Sequence, residues 1–265
     1  MLDFRKLKSA IDVRRSVRTF EPHCVTDADR HKFDEDSAEA IELCGVVGTA
    51  RIAVLDFADD NTAPGRMATY GFIKGARTYF VLLVKADADD AVCRRAAAAM
   101  ELMVLDAVSV GYGTCWIGGT FSRSTFGGLA SQGDDERIVA VIAVGREAKP
   151  GFAERVIRAV SGSRDKDGRP RRRDFDSMFI SGDGSGTDSR VHAALCDVRM
   201  APSSTNSQPW RATMFDGGRR VVFEAATHNS YTQTDMGIAL CHFAIGLWPR
   251  RVDFDTQMTA VVDLD

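Results

Sequence analysis

The decapeptide APSSTNSQPW, residues 201–210, carries no charge; it holds two prolines, three serines, a threonine, an asparagine, a glutamine and a tryptophan. A turn needs only one or two such neutral hydrogen-bonding residues. A run of ten, set where an apolar helix stops, makes a surface suited to a polar, flat ligand. Other chemistries lack their residues. The five histidines, His23, His31, His192, His228 and His242, show no ligand spacing such as H-E-x-x-H, so no metal is expected. His242 lies in an apolar helical stretch and reads as a satisfied core histidine. No Ser-His-Asp order or G-x-S-x-G elbow occurs, and GSGTDS (184–189) follows no strand and lacks the lysine of a phosphate-binding loop.

That loop, as APSSTNSQPWR (201–211), is one of three notable stretches, the others being RRSVRTF (14–20) and GYGTCWIGGTF (111–121), with DMGIALCHF (235–243) beside them. In these the chain resembles the FMN-dependent nitroreductase superfamily. In common nitroreductases the PS-x-x-N-x-QPW loop follows the RRS element within a few tens of residues, and a symmetric homodimer builds two FMN sites. Here the loop follows the GYGTCWIGG motif, in the second half of the chain. The sequence therefore resembles the single-chain, Thermotoga-type branch, in which the dimer is fused into one polypeptide. The first half's own loop is shortened to GVVGTA (45–50). The resemblance implies one intact flavin site and one degenerate site per chain.

It also implies roles for particular residues. Arg14, Ser16 and Arg18 would meet the FMN phosphate with two forked guanidiniums and a hydroxyl, with Arg15 a second-rank candidate for the isoalloxazine edge. The family sends one late basic residue to the phosphate, and the cluster Arg171, Arg172 and Arg173 would supply it; the sequence does not choose among the three, and Arg172, at the centre, is carried as the candidate. Ser203, Ser204 and Asn206 have short side chains that donate and accept, suited to ribityl hydroxyls and the pyrimidine edge; Pro202 would fix the backbone near the ring. Gln208 and Trp210 would close the loop onto the core. Trp116 and Ile117 lead into Gly118 and Gly119, whose N–H groups would approach flavin N5 and O4. Lys74 occupies the place of a family lysine facing N1 and O2, where a cation stabilises the anionic reduced ring. No catalytic acid or base is expected, because the flavin carries the chemistry.

The elements that must position these residues follow from periodicity and caps. An amphipathic helix is expected over Leu7–Ser16, and a second from a Thr26 cap to about Cys44, ended by Gly45 and Gly48. Residues 50–57, 76–86, 137–145 and 219–225 read as strands. Residues 91–111 read as an apolar, nearly all-round buried helix, 188–200 as a helix capped by Asp188 or Ser189, and 234–248 as an apolar helix capped by Thr234. Helix, strand and apolar helix recur in both halves, which suggests a diverged internal duplication. The expected fold is α+β, with a mainly antiparallel central sheet flanked by helices. The organisation is an N-terminal half at 1–161, a basic connector at 162–187, and a C-terminal half at 188–265. The two halves would pack as a pseudo-dimer around the apolar helices.

Composition bounds the partners. With 34 basic and 37 acidic residues the net charge is −3, which offers no field for nucleic acid or an anionic membrane surface. Six scattered cysteines without a C-x-x-C pair read as reduced thiols, and the N-terminus shows no export signal, so a cytoplasmic, soluble protein is expected. The resemblance adds NAD(P)H and a small flat acceptor such as a nitroaromatic or quinone, in a monomer or weak homodimer. Two alternatives accompany it: reductive dehalogenation or ring dehydrogenation on the same fold, and a flavin-binding protein without turnover.

Overall fold

The computed structural model describes residues 1–23, 25–57, 66–148, 171–255 and 258–265. Cys24, residues 149–161 and the connector stretch GSRDKDGRP (162–170) lie outside the described residues.

Five of the six described helices begin where a short polar side chain satisfies their first amides. Asp3 accepts from the Arg5 and Lys6 N–H groups to start α1 (Phe4–Val13), and Thr26 accepts from Asp29 to start α2 (Asp27–Leu43). Asp89 caps α3 (Asp90–Ser109) and Ser122 caps α4 (Arg123–Leu129). Asp188 caps α5 (Ser189–Met200). The sixth helix, α6 (Thr232–Leu247), starts two residues before the expected Thr234 cap; Tyr231 precedes it with no side-chain cap bond. Thr232 replaces the cap: its hydroxyl accepts the Asn229 N–H and donates to the Thr227 carbonyl, closing the preceding turn. Helix α1 also ends earlier than expected, because Arg14 turns extended (ψ 128°) so that Ser16 can bridge to Thr114.

Four strands form an antiparallel sheet in the order β1-β2-β4-β3: β1 (Ala50–Asp56), β2 (Thr78–Lys85), β3 (Gly113–Ile117) and β4 (Glu136–Gly145). Five more form a second sheet in the order β5-β6-β7-β9-β8: β5 (Phe179–Ser181), β6 (Trp210–Phe215), β7 (Arg220–Ala225), β8 (Val252–Phe254) and β9 (Thr259–Val262). Its only parallel pairing joins β5 to β6. The expected antiparallel sheet is thus divided into two, one in each half.

The halves repeat one another. Each runs helix, strand, strand, helix, strand, strand: α2-β1-β2-α3-β3-β4 and α5-β6-β7-α6-β8-β9, with α4 inserted in the first. Among the four strands of each repeat the first pairs the second, the second the fourth, and the fourth the third, with β5 added at the edge of the second sheet. At the centre α3 packs on α6. A Cβ on Gly237 of α6 would lie 2.1 Å from the Arg94 carbonyl oxygen and 2.9 Å from Ala97 Cβ, so the two backbones touch there. Small residues on both sides permit that approach, and Met100, Met103, Val104 and Leu105 are fully buried beside it. No helix of the described residues is long and apolar enough to cross a membrane.

Candidate functional site

A cavity of about 610 Å³ opens where the C-terminal end of α1, the end of β3, the 202–206 loop and the first turns of α6 converge. Arg14, the residue that ends α1, is 5% exposed. Its Nε and Nη1 are buried and have no hydrogen-bond partner among the described residues. Burial pushes its pKa down, opposed by the nearby carboxylate of Glu101. Arg172 lies close enough for the two cations to repel. Its guanidinium donates to the carbonyls of Met200 (2.7 Å) and Ala201 (2.9 Å) and to Asn206 Oδ1 (3.1 Å), while Nε is buried and unbonded. Burial first, then Arg14 and Arg199, lower its pKa to about 10. Two buried guanidiniums with unbonded nitrogens and no hydrogen-bonded carboxylate form a site that an anion would complete.

The loop is held in one shape from within. Thr205, Asn206 and Gln208 all have positive φ, between 49° and 57°, a region that costs a non-glycine residue energy unless its surroundings impose it. Those surroundings are hydrogen bonds. Gln208 N–H donates to Ser203 Oγ (2.9 Å), and Gln208 Nε2 to the Arg171 and Asn206 carbonyls. Its Oε1 receives the Arg173 N–H (2.9 Å), and Asn206 Nδ2 donates to the Arg171 carbonyl (2.8 Å). Gln208 therefore closes the loop as expected, but the Asn206 amide is engaged by the protein rather than left for a ligand. Trp210 is fully buried, as closing the loop onto the core requires, while its Nε1–H has no hydrogen-bond partner among the described residues.

Among the sequence-derived candidates, Arg14, Ser16 and Arg18 line the cavity from the first strand-like segment. Trp116, Ile117, Gly118 and Gly119 line it from β3 and its end. Pro202, Ser203, Ser204, Asn206 and Arg172 complete the wall. Two candidates are not brought there. Arg15 is ion-paired with Glu147 on the surface, because the residue after the α1 cap points away from Arg14. Lys74 is exposed and outside the lining; its backbone carries the contact, pairing with Arg18 and Phe20, while Phe72 and Ile73 face the cavity instead.

The two glycines serve a contact that the motif did not disclose. A Cβ on Gly118 would sit 2.9 Å from Tyr231 Cε1, and one on Gly119 would sit 2.2 Å from Tyr231 Oη. The tyrosine at the start of α6 lies over them. One turn on, Asp235 is 3% exposed, lines the cavity and accepts the Ser204 N–H through Oδ1 (2.9 Å). Ser207 Oγ reaches its Oδ2 at 3.5 Å. Burial raises its pKa to about 6 despite these donors. Asp235 and Tyr231 were missed as site residues; an aspartate opening an apolar helix was the available signal. Beneath the cavity, Trp116 Nε1 donates to Glu101 Oε2 (2.7 Å), whose Oε1 meets His242 Nε2 (2.9 Å). His242 Nδ1 faces the Asp197 carbonyl (3.0 Å), so this core histidine is satisfied on both nitrogens and links the two halves.

Among the described residues no group of three or more His, Cys, Asp or Glu is gathered as a metal would need. Comparison with known proteins places the chain as follows. The family described as "Putative TM nitroreductase" matches residues 6–247. A "putative nitroreductase" of Thermotoga maritima MSB8 superposes with a TM-score of 0.60 at 16% identity, covering 97% of this chain and 92% of that one. An FMN-dependent nitroreductase of Clostridium difficile R20291 gives 0.43 at 18% identity over 54% of this chain and 88% of that one. The NADPH:FMN oxidoreductase of Vibrio harveyi, complexed with NAD+, gives 0.42 at 17% identity over 57% and 75%. No curated protein matches the sequence.

Proposed function

The chain belongs to that nitroreductase family, and so to a class of oxidoreductases, and from this premise we propose that it is an FMN-dependent NAD(P)H oxidoreductase reducing a flat acceptor such as a nitroaromatic or quinone. The observation that carries the reading is the buried Arg14 guanidinium with two unbonded nitrogens at the cavity wall. A phosphate monoester fits that need, since it accepts several charge-assisted hydrogen bonds at once. Arg172 Nε, also unbonded, and the exposed Arg18 add donors on the same wall. The remaining lining suits a planar ring with polar edges: Ile73, Ile117 and Ile238 offer apolar surface, and Ser204 a hydroxyl.

When bound, FMN supplies a two-electron carrier that takes hydride from a nicotinamide and yields it to the acceptor, in alternation at one site. The protein's part is to hold and to poise. Arg14 and Arg172 bind the anionic end; the ordered 202–208 loop fixes the polar edge without reorganising; Gly118 and Gly119 leave their backbone accessible beside Tyr231. Asp235 can hold a proton at the cavity near pH 6, available to a reduced acceptor.

The test is an anaerobic absorbance spectrum of the FMN-supplemented protein before and after NADH or NADPH. Bleaching of the bound-flavin band supports the proposal. Bound flavin that stays oxidised with both nicotinamides would replace it with a carrier or sensor, and no bound flavin would refute both.

A further inference from the structure

A second cavity, of about 400 Å³, lies between α2, α3, α6 and β8. Its place is not arbitrary. Helix α6 lines the first cavity with Tyr231, Thr234, Asp235 and Ile238; α3 lines the second with Ala91, Arg94, Arg95 and Ala98, at the same intervals. Under that correspondence Ala97 and Gly237 are counterparts, and they are the residues that meet where the helices cross, as at a twofold axis. Strand β8 borders the second cavity as β3 borders the first, and Leu43 and Cys44, the last residue of α2 and its C-cap, stand where the 202–206 loop stands after α5. The second cavity is the symmetry mate of the first.

Its chemistry has changed. The first cavity is lined by buried guanidinium nitrogens without a partner among the described residues, Nε and Nη1 of Arg14 and Nε of Arg172; no side chain with such an atom lines the second. Where the first has a polar loop, the second has Phe4, Leu102, Leu240, Ile245 and Phe254. Its two thiols are neutral packing groups: burial lifts Cys44 to about 12 and Cys241 well above its ordinary value. The charged residues at the rim are compensated, with one exception. Arg94 donates to Gln233 (2.7 Å), Asp253 pairs with Arg251 (3.1 Å), and Asp255 accepts the Thr259 N–H (2.8 Å). Arg95 is exposed and has no hydrogen bond to any described residue. An apolar chamber with one uncompensated guanidinium at its mouth matches an aromatic body carrying one anionic group.

We propose that the second cavity is a ligand site in its own right, taking a small aromatic carboxylate whose carboxylate pairs with Arg95, and that it does not take flavin. This inference rests on the symmetry and lining of the cavity and stands whether or not the first cavity holds FMN.

The experiment is calorimetric titration of the full chain with biphenyl-4-carboxylate, with and without saturating FMN. One binding event, unaffected by FMN, is expected. Ala98→Trp should abolish it, as should Met258→Trp, which fills the same space from a loop and guards against misfolding of the first variant; circular dichroism checks both. Arg95→Gln should weaken binding about tenfold, and the neutral biphenyl-4-carboxamide should bind the parent as weakly as the acid binds that variant. No binding, binding indifferent to both tryptophan variants, displacement by FMN, or a second equivalent of FMN taken up and lost in Ala98→Trp would each overturn the proposal.

Discussion

Burying an unpartnered guanidinium costs several kcal/mol, and the Arg14 side chain, 5% exposed with two unbonded nitrogens, bears that cost in the unliganded fold. Arg14→Met should therefore raise the thermal stability of the ligand-free protein, by about 1 to 3 kcal/mol, while flavin binding falls; a melt without and with FMN reads both. Asp235 is the opposite kind of group, an acid whose folded pKa lies near 6 against an ordinary value of 3.8. The folded state then holds the proton more tightly than the unfolded chain, so its contribution is fully favourable below pH 4 and is lost as pH rises through 6. The loss amounts to about 3 kcal/mol. Asp235→Asn removes it, so the variant should gain stability relative to the parent between pH 4 and pH 7, measured as the difference in Tm at each pH. A difference that does not change with pH would mean that Asp235 is not buried as described. Asp197, also raised to about 6 by burial, titrates in both proteins and cancels in that comparison.

Between elements, the α3–α6 crossing decides whether the halves can close on the cavity. Gly237→Ala places a methyl 2.1 Å from the Arg94 carbonyl oxygen, on backbone that cannot turn aside. A loss of about 3 kcal/mol is expected, read from chemical denaturation, with both cavities perturbed. The sequence shows this helix pair plainly, because their apolar runs are long, although only α3 starts at a side-chain cap; strand β2, apolar from Tyr79 to Val84, is equally plain. Strand β3 is not, since GTCWI begins with glycine and its pairing partners lie in β4 and at Ser16. Strands β6, β8 and β9 are short and were not visible as strands for the same reason: pairing partners define them more than propensity does. The site divides similarly. Arg14, Ser16, the β3 motif and the loop are contiguous in sequence and readable. Arg15 and Lys74 were misplaced because Glu147 and the Thr19 bridge, which turn them from the cavity, are distant in the chain. Tyr231 and Asp235 enter only through the docking of α6.

At the scale of the whole molecule, two topologically repeated halves are joined through a buried polar link. Glu101 and Trp116 come from the first half, His242 and Asp197 from the second. Removing the imidazole leaves Glu101 Oε1 and the Asp197 carbonyl without that partner in the interior, Glu101 keeping only its bond from Trp116, so His242→Ala should cost about 3 kcal/mol or more, and the Glu101→Gln, His242→Ala double variant should cost less than the sum. Additive losses would show that the link does not couple the halves. The repeat also explains why one chain holds two unlike cavities: of the two, only the first is lined by buried guanidinium nitrogens without a hydrogen-bond partner among the described residues. The central claim is that these cations hold the phosphate of FMN. Its most direct test is to titrate FMN and riboflavin, which differ by that phosphate alone, into the parent protein and Arg14→Gln, following flavin fluorescence. The parent should prefer FMN by on the order of 100-fold, and the variant should lose about tenfold of that preference. Equal affinity for the two flavins, or a preference untouched by the substitution, would contradict the account.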